Sequence, residues 1–292
     1  RPPRSTLFPY TTLFRSVPAI QILDSQHFPE ENRGNLLIAN VIGFQGVTQY
    51  KFEKQGAGFF AKEVEPILYS SDVNFRPSDM EIGGDGALYV LDWQNPIIGH
   101  MQHNLRDPSR DHLHGRIYRV TAEGRKTQPV AKLDKASTAD VVAALGSPTL
   151  AERYRARIEL TSRNPVEVVA TVNEWVKQFD ANNPEHARHF VEALWTGVRN
   201  QSTDINASVR EAVLRSPVPD ARAAGVRALR ESIRSTTLRS VRGDEAFTKN
   251  AIQLVFGEYD KWLLKFASDP SPQVRAEAVV AATYMYPKSS QI

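Results

Sequence analysis

The chain has 292 residues, 41% of them hydrophobic and 24% charged, which is the composition of ordinary globular domains and the length of about two of them. That excludes a collagen-like, coiled-coil or wholly disordered chain, and no window reaches the ~20 apolar residues that would carry it across a bilayer. With no cysteine, the chain offers no disulfide, thiolate metal site or thiol nucleophile.

The net charge of +3 is local. Residues 1–16, RPPRSTLFPYTTLFRS, carry Arg1, Arg4 and Arg15 and no acid; without them the chain holds 33 basic and 33 acidic residues. This tail resembles a translated sequencing adapter and is set aside from the fold as artefactual. Residues 17–120 then hold 9 basic and 13 acidic residues, and 121–292 hold 24 and 20. Neither half has the one-sided field of a nucleic-acid binder, so no nucleic-acid partner is expected.

From residue 17 to about 120 the pattern is short β-rich runs between Gly and Asp turns. GNLLIANVIGFQGVTQYKFEKQG from Gly34 and GALYVLDW from Gly86, continued by GRIYRVTAEG from Gly115, share one plan. A Gly turn opens a strand that ends in Asn40 or Asp92, and after a loop Gly46 or Gly115 opens another. The copies lie 52 residues apart, close to the ~40–50 of a four-stranded propeller blade. A propeller needs at least about four blades to close, so this region predicts about two C-terminal blades of a longer, here partial, β-propeller. In isolation such a piece is expected to be inactive.

Residues 121–137 read as a linker, and 138–292 as helical, HEAT-like repeats. SPTLAERYRARIEL from Ser147, SPVPDARAAGVRAL from Ser216 and DPSPQVRAEAVVAA from Asp269 align without gaps, each with Pro second and Arg seventh. Ser or Asp before Pro is a helix start with a cap and a preset first-turn φ. Further helices are predicted over Pro165–Phe179, Pro184–Val198, Ile205–Arg215 and Asp244–Ala267. Spacings of 69 and 53 make the solenoid irregular. Arg153, Arg222 and Arg275 are expected to brace neighbouring helices. Trp175, Trp195 and Trp262 are expected in the packing, Trp93 in the β core, and His186 and His189 at the surface.

Between two strands of the last blade runs DWQNPIIGHMQHNLRDPSRDHLHGR, Asp92 to Arg116, holding four of the seven histidines. Loops longer than about 12–15 residues without structure of their own are usually functional or disordered. Imidazole both titrates near neutrality and ligates metals, which makes His112 and His114 candidates for proton transfer and His100, His103 and Asp111 candidates for a metal. Arg110 and Arg116 are candidates for holding an anionic cofactor. The same histidines and Arg106, Arg110 and Arg116 also read as a brace with Asp92, Asp107 and Asp111 that ties the insertion to the sheet.

FRPSDMEIGGDGALYVLDWQNPIIGHMQHNLRDPSRDHLHGRIYRV, Phe75 to Val120, closely resembles the last propeller segment of the membrane-bound dehydrogenase-like proteins of planctomycetes, which themselves resemble PQQ-dependent glucose/sorbosone dehydrogenases. The helical half, with EALWTGVRNQ, looks like the region that follows the propeller there. The resemblance implies a periplasmic or cell-surface oxidoreductase acting on a sugar or related alcohol, with pyrroloquinoline quinone (PQQ) as cofactor. Electrons would pass to a cytochrome, or to haem c in a downstream domain. No residue here matches a quinone ligand of that family individually, so the site candidates rest on their own chemistry and placement. The alternative from another class is a non-catalytic propeller and solenoid scaffold that binds a protein or polysaccharide partner.

Overall fold

The computed structural model describes residues 18–95, 108, 111, 113–200, 207–241 and 259–284. They form a mixed β and α chain of two compact units, the first holding most residues up to Ala131 and the second most of those from Lys132 on.

The first unit has two antiparallel sheets. One runs in the order β1 (Ile20–Ile22), β2 (Leu36–Asn40), β3 (Gly46–Gln55), β4 (Gly58–Tyr69), and the other in the order β5 (Pro77–Ile82), β6 (Leu88–Asp92), β7 (Arg116–Val120). Alternation places Leu37 and Ala39 of β2 and Leu88, Val90 and Asp92 of β6 on inner faces, where Phe28, Phe75 and Met80 join them in one core. Asn40 and Asp92 end their strands, and Gly46 opens β3, as the repeat predicts. The long hairpin is not predicted. Residues 51–63 are exposed on both faces, so no alternation marks them, and the strands meet at a two-residue turn with Gly56 at φ +58°.

A buried histidine ties the start of this unit to its end. His27 Nε2 accepts from the backbone N–H of Ala122 at 2.9 Å, and Nδ1 lies 3.3 Å from the Lys126 carbonyl, which it reaches as a donor in the neutral tautomer. Beside it Ser25 Oγ donates to the Gly86 carbonyl at 2.7 Å. Gly86 sits at φ +83°, and a Cβ there would meet Ser25 Oγ at 2.9 Å, so both conformation and space demand glycine.

The second unit is helical: α1 (Thr138–Ala144), α2 (Leu150–Thr161), α3 (Pro165–Val176), α4 (Ala187–Arg199), α5 (Ala207–Leu214), α6 (Pro219–Val241), α7 (described over 259–267) and α8 (Pro272–Ala282). Residues 244–258 of the predicted Asp244–Ala267 helix lie outside the described residues. Pro opens α3, α6 and α8, and Ser137 and Asn164 cap α1 and α3 by accepting from the backbone N–H groups of Asp140 and of Val166 and Glu167. The last core gathers Leu229, Ile233, Leu263, Phe266 and Val274 from α6, α7 and α8.

Two of the seventh-position arginines, Arg153 and Arg222, reach a neighbouring helix or copy, while the bonds of Arg275 stay at the start of its own helix. Arg153, Arg222 and Arg275 each donate from Nη1 to the carbonyl six residues back, that of Ser147, Ser216 and Asp269. Arg222 also grips the Asp269 carboxylate of the next copy through Nε at 2.8 Å and Nη2 at 2.9 Å. Arg153 and Arg157 share the buried Glu192 carboxylate of α4.

Two expectations are corrected. Trp93 is not in the core but 48% exposed, because it follows the inward Asp92 and so takes the outer side. His189 is half-buried rather than at the surface: its ring stacks on Phe179 at 4.1 Å, near Trp175. Burial, with Arg188 alongside, pushes its pKa down. Its neighbour His186 accepts the Asp180 N–H on Nδ1.

Burial pushes the Asp269 carboxyl up, but the Arg222 guanidinium and the Ser271 N–H outweigh it and hold the pKa below the ordinary value. A carboxyl depressed in the fold stabilises above its unfolded pKa and loses that contribution as pH falls through the folded one. Arg222→Ala is therefore expected to cost about 3 kcal/mol in urea unfolding at pH 7. The difference from wild type should shrink progressively below about pH 4.

Candidate functional site

The long connection leaves and re-enters the second sheet at one end, and two buried charges organise that end. Asp92 closes β6 opposite Pro77 on one side and Arg116 on the other. Proline supplies no ladder N–H, and next to it the carboxylate ties the strand ends by accepting backbone N–H groups. Asp92 Oδ1 accepts from the Arg76 N–H at 2.7 Å and the Gln94 N–H at 2.8 Å. The Arg76 side chain, 8% exposed, donates from Nε to the Asn95 carbonyl at 3.0 Å and from Nη1 to the Val41 carbonyl at 2.9 Å. Burial lowers the pKa of this guanidinium, and Asp92 and Asp72 oppose the shift. Backbone bonds from Trp93 N to Arg76 O and from Asn95 N to Asn74 O complete the knot.

The knot costs something locally. Gln94 adopts the left-handed φ of +49°, a region that favours glycine or asparagine, and Asp92 Oδ2 is buried with no hydrogen-bond partner among the described residues. In return the loop root is set, and Gln94 Oε1 accepts from Nη1 of Arg116, the first residue of β7, whose guanidinium also lies 3.6 Å from Asp72 Oδ2.

Two residues before Arg116, His114 is oriented by Asp111. The Asp111 carboxylate accepts the backbone N–H groups of Leu113 at 3.0 Å and His114 at 3.1 Å, and lies 2.9 Å from His114 Nδ1. The Leu113 N–H holds its pKa below the ordinary carboxylate value, desolvation opposes it, and the His114 ring and N–H add to the lowering. A carboxylate at Nδ1 makes that nitrogen the donor and leaves Nε2 as the basic, outward nitrogen. Both side chains are solvent-exposed. Gly115, between them and Arg116, lies beside the knot: a Cβ there would be 3.5 Å from the Asp92 carbonyl.

The structure therefore brings Asp111 to His114, and Arg116 to Gln94 and Asp72. His100, His103, Arg106, Asp107, Arg110 and His112 lie outside the described residues. Among the described residues no group of three or more His, Asp or Glu side chains is placed to hold a metal. Sequence reasoning missed Arg76, Asp72 and Gln94. The signal for Arg76 was its place before a strand-opening proline; Asp72 and Gln94 carried none. A quinone that bears carboxylates needs cations with unspent donors. Arg116 is already shared with Gln94 and Asp72, so the described residues do not by themselves make such a seat.

A family described as a domain of unknown function, DUF7133, matches residues 11–124, less than half of the chain. The match takes in the whole knot and the Asp111–His114 pair, stops before the first helix, and includes residues 11–16 of the segment set aside above. No curated protein and no solved structure matches the chain. Among the described residues no helix is long and apolar enough to cross a membrane.

Replacing Asp92 separates its two oxygens. Asp92→Ala strands the Arg76 and Gln94 N–H groups and is expected to lower stability by about 2–3 kcal/mol in urea unfolding. Asp92→Asn keeps an oxygen for both and should cost less than about 1 kcal/mol. Equal losses in the two variants would show that the Oδ1 bonds are not what holds the loop root.

Proposed function

We propose that residues 17–120 are the last blades of a propeller in a quinoprotein-like oxidoreductase of sugars or related alcohols, acting outside the cytoplasm, and that the helices form an irregular HEAT-like solenoid attached to it. The observation that carries the enzymatic reading is the Asp111–His114 pair: a carboxylate fixes one ring nitrogen and leaves the other free to accept a proton. Oxidation of an alcohol needs such an acceptor for the hydroxyl proton. The two-electron acceptor is a separate group, for which the resemblance names PQQ and which these residues do not seat alone.

The propeller reading draws support from the four-stranded meander and from the outer face of the second sheet, where Leu91 and Ile117 pair across β6 and β7 at 38% and 70% exposure. Such faces are what an adjacent blade covers. The solenoid reading draws support from the repeated arginine brace.

The test uses the longer protein in which this segment continues upstream blades, assayed by PQQ-supported, glucose-dependent dye reduction. His114→Ala is expected to lower turnover by about 100-fold or more, and Asp111→Asn by about tenfold, with unchanged unfolding midpoints. Unchanged turnover in His114→Ala would remove the histidine from the reaction.

A further inference from the structure

The helical unit holds a pocket of about 270 Å³ between α2 and the end of α4. Its lining is mostly apolar, with Leu160, Trp195 and Val198 as the apolar surface and Arg157, Arg199 and Asn200 among its polar groups. The polar groups are unequally spent. Arg157 turns Nε and Nη2 onto the buried Glu192 carboxylate behind it. The Thr196 hydroxyl donates to the Glu192 carbonyl, the Thr161 hydroxyl to the Ile158 carbonyl, and the Asn200 amide to the Thr196 carbonyl, so these groups are satisfied from within the helices. Arg199 is exposed and makes no ion pair with any described residue. Among the described residues no carboxylate lines the space. An apolar floor beside a guanidinium that no described carboxylate engages selects an anion with an apolar body.

We propose that this pocket binds the carboxylate of a small apolar acid, an aryl or alkyl carboxylate, with Trp195, Leu160 and Val198 against the apolar body and Arg199 on the carboxylate. The volume suits a single side chain or small metabolite, since ligand pockets for larger molecules span roughly 300–1,000 Å³. The same chemistry is presented by a free acid and by an apolar residue at the end of a peptide. The proposal does not rest on the oxidoreductase reading.

Calorimetric titration of the full chain with 3-phenylpropionate is the test, with 3-phenylpropanamide as the uncharged control. The acid is expected to bind saturably and the amide at least about tenfold more weakly, and Arg199→Gln should weaken the acid by about tenfold with an unchanged unfolding midpoint. Trp195→Phe should weaken acid and amide alike. N-acetyl-glycyl-phenylalanine separates the sources: tighter binding than 3-phenylpropionate assigns the pocket to a peptide terminus, and weaker binding to a free acid. No saturable heat up to roughly 10 mM acid, equal binding of acid and amide, or no effect of Arg199→Gln would each overturn the proposal.

Discussion

The Arg76–Asp92 knot is the constraint on which the candidate site depends. A buried guanidinium and a buried carboxylate are each costly alone, and here each is satisfied chiefly by backbone: Asp92 by two N–H groups, Arg76 by two carbonyls. The pair anchors the chain beside Pro77, where the ladder register is irregular. It fixes where the chain leaves β6, and through Gln94 it fixes where Arg116 re-enters. The long connection is thus tied at both roots, and His114 with its orienting Asp111 sits two residues from one of them.

The helical unit solves the same problem of buried charge with a repeated device. An arginine six residues after the Ser-Pro or Asp-Pro start reaches back to the carbonyl of that start, and in the second copy forward to the next copy's aspartate. Backbone acceptors satisfy part of each guanidinium, so the brace does not depend on an ion pair alone. Glu192 serves two arginines at once, Arg153 and Arg157, while Arg199 in the neighbouring pocket makes no ion pair with any described residue.

Sequence legibility followed physical locality. Strands β2, β3, β6 and β7 were readable because glycine turns bracket alternating apolar residues, and the helix starts because proline and its cap act within one turn. The outer half of the β3–β4 hairpin was not, since exposure on both faces removes the period-2 signal. His27 was missed because its partners, Ala122 and Lys126, lie 95 and 99 residues away. Trp93 was misplaced because an aromatic beside a strand end reads as core, whereas the inward turn of Asp92 dictates the opposite side. His189 looked like a surface residue from its polar neighbours, and only tertiary stacking on Phe179 buries it. Of the site, Asp111, His114 and Arg116 were named from chemistry, but their grouping into one oriented pair and one anchored guanidinium depends on backbone turns that composition does not show.

The knot is tested most directly by hydrogen exchange on the full chain, followed at the amides of Arg76, Trp93, Gln94 and Asn95. All four are bonded inside it, so they should exchange as slowly as the core amides of β6, and Arg76→Ala should release Trp93, Gln94 and Asn95 together while the amides of β2 stay protected. Rapid exchange of these four in the wild type, or their release one at a time, would contradict the account.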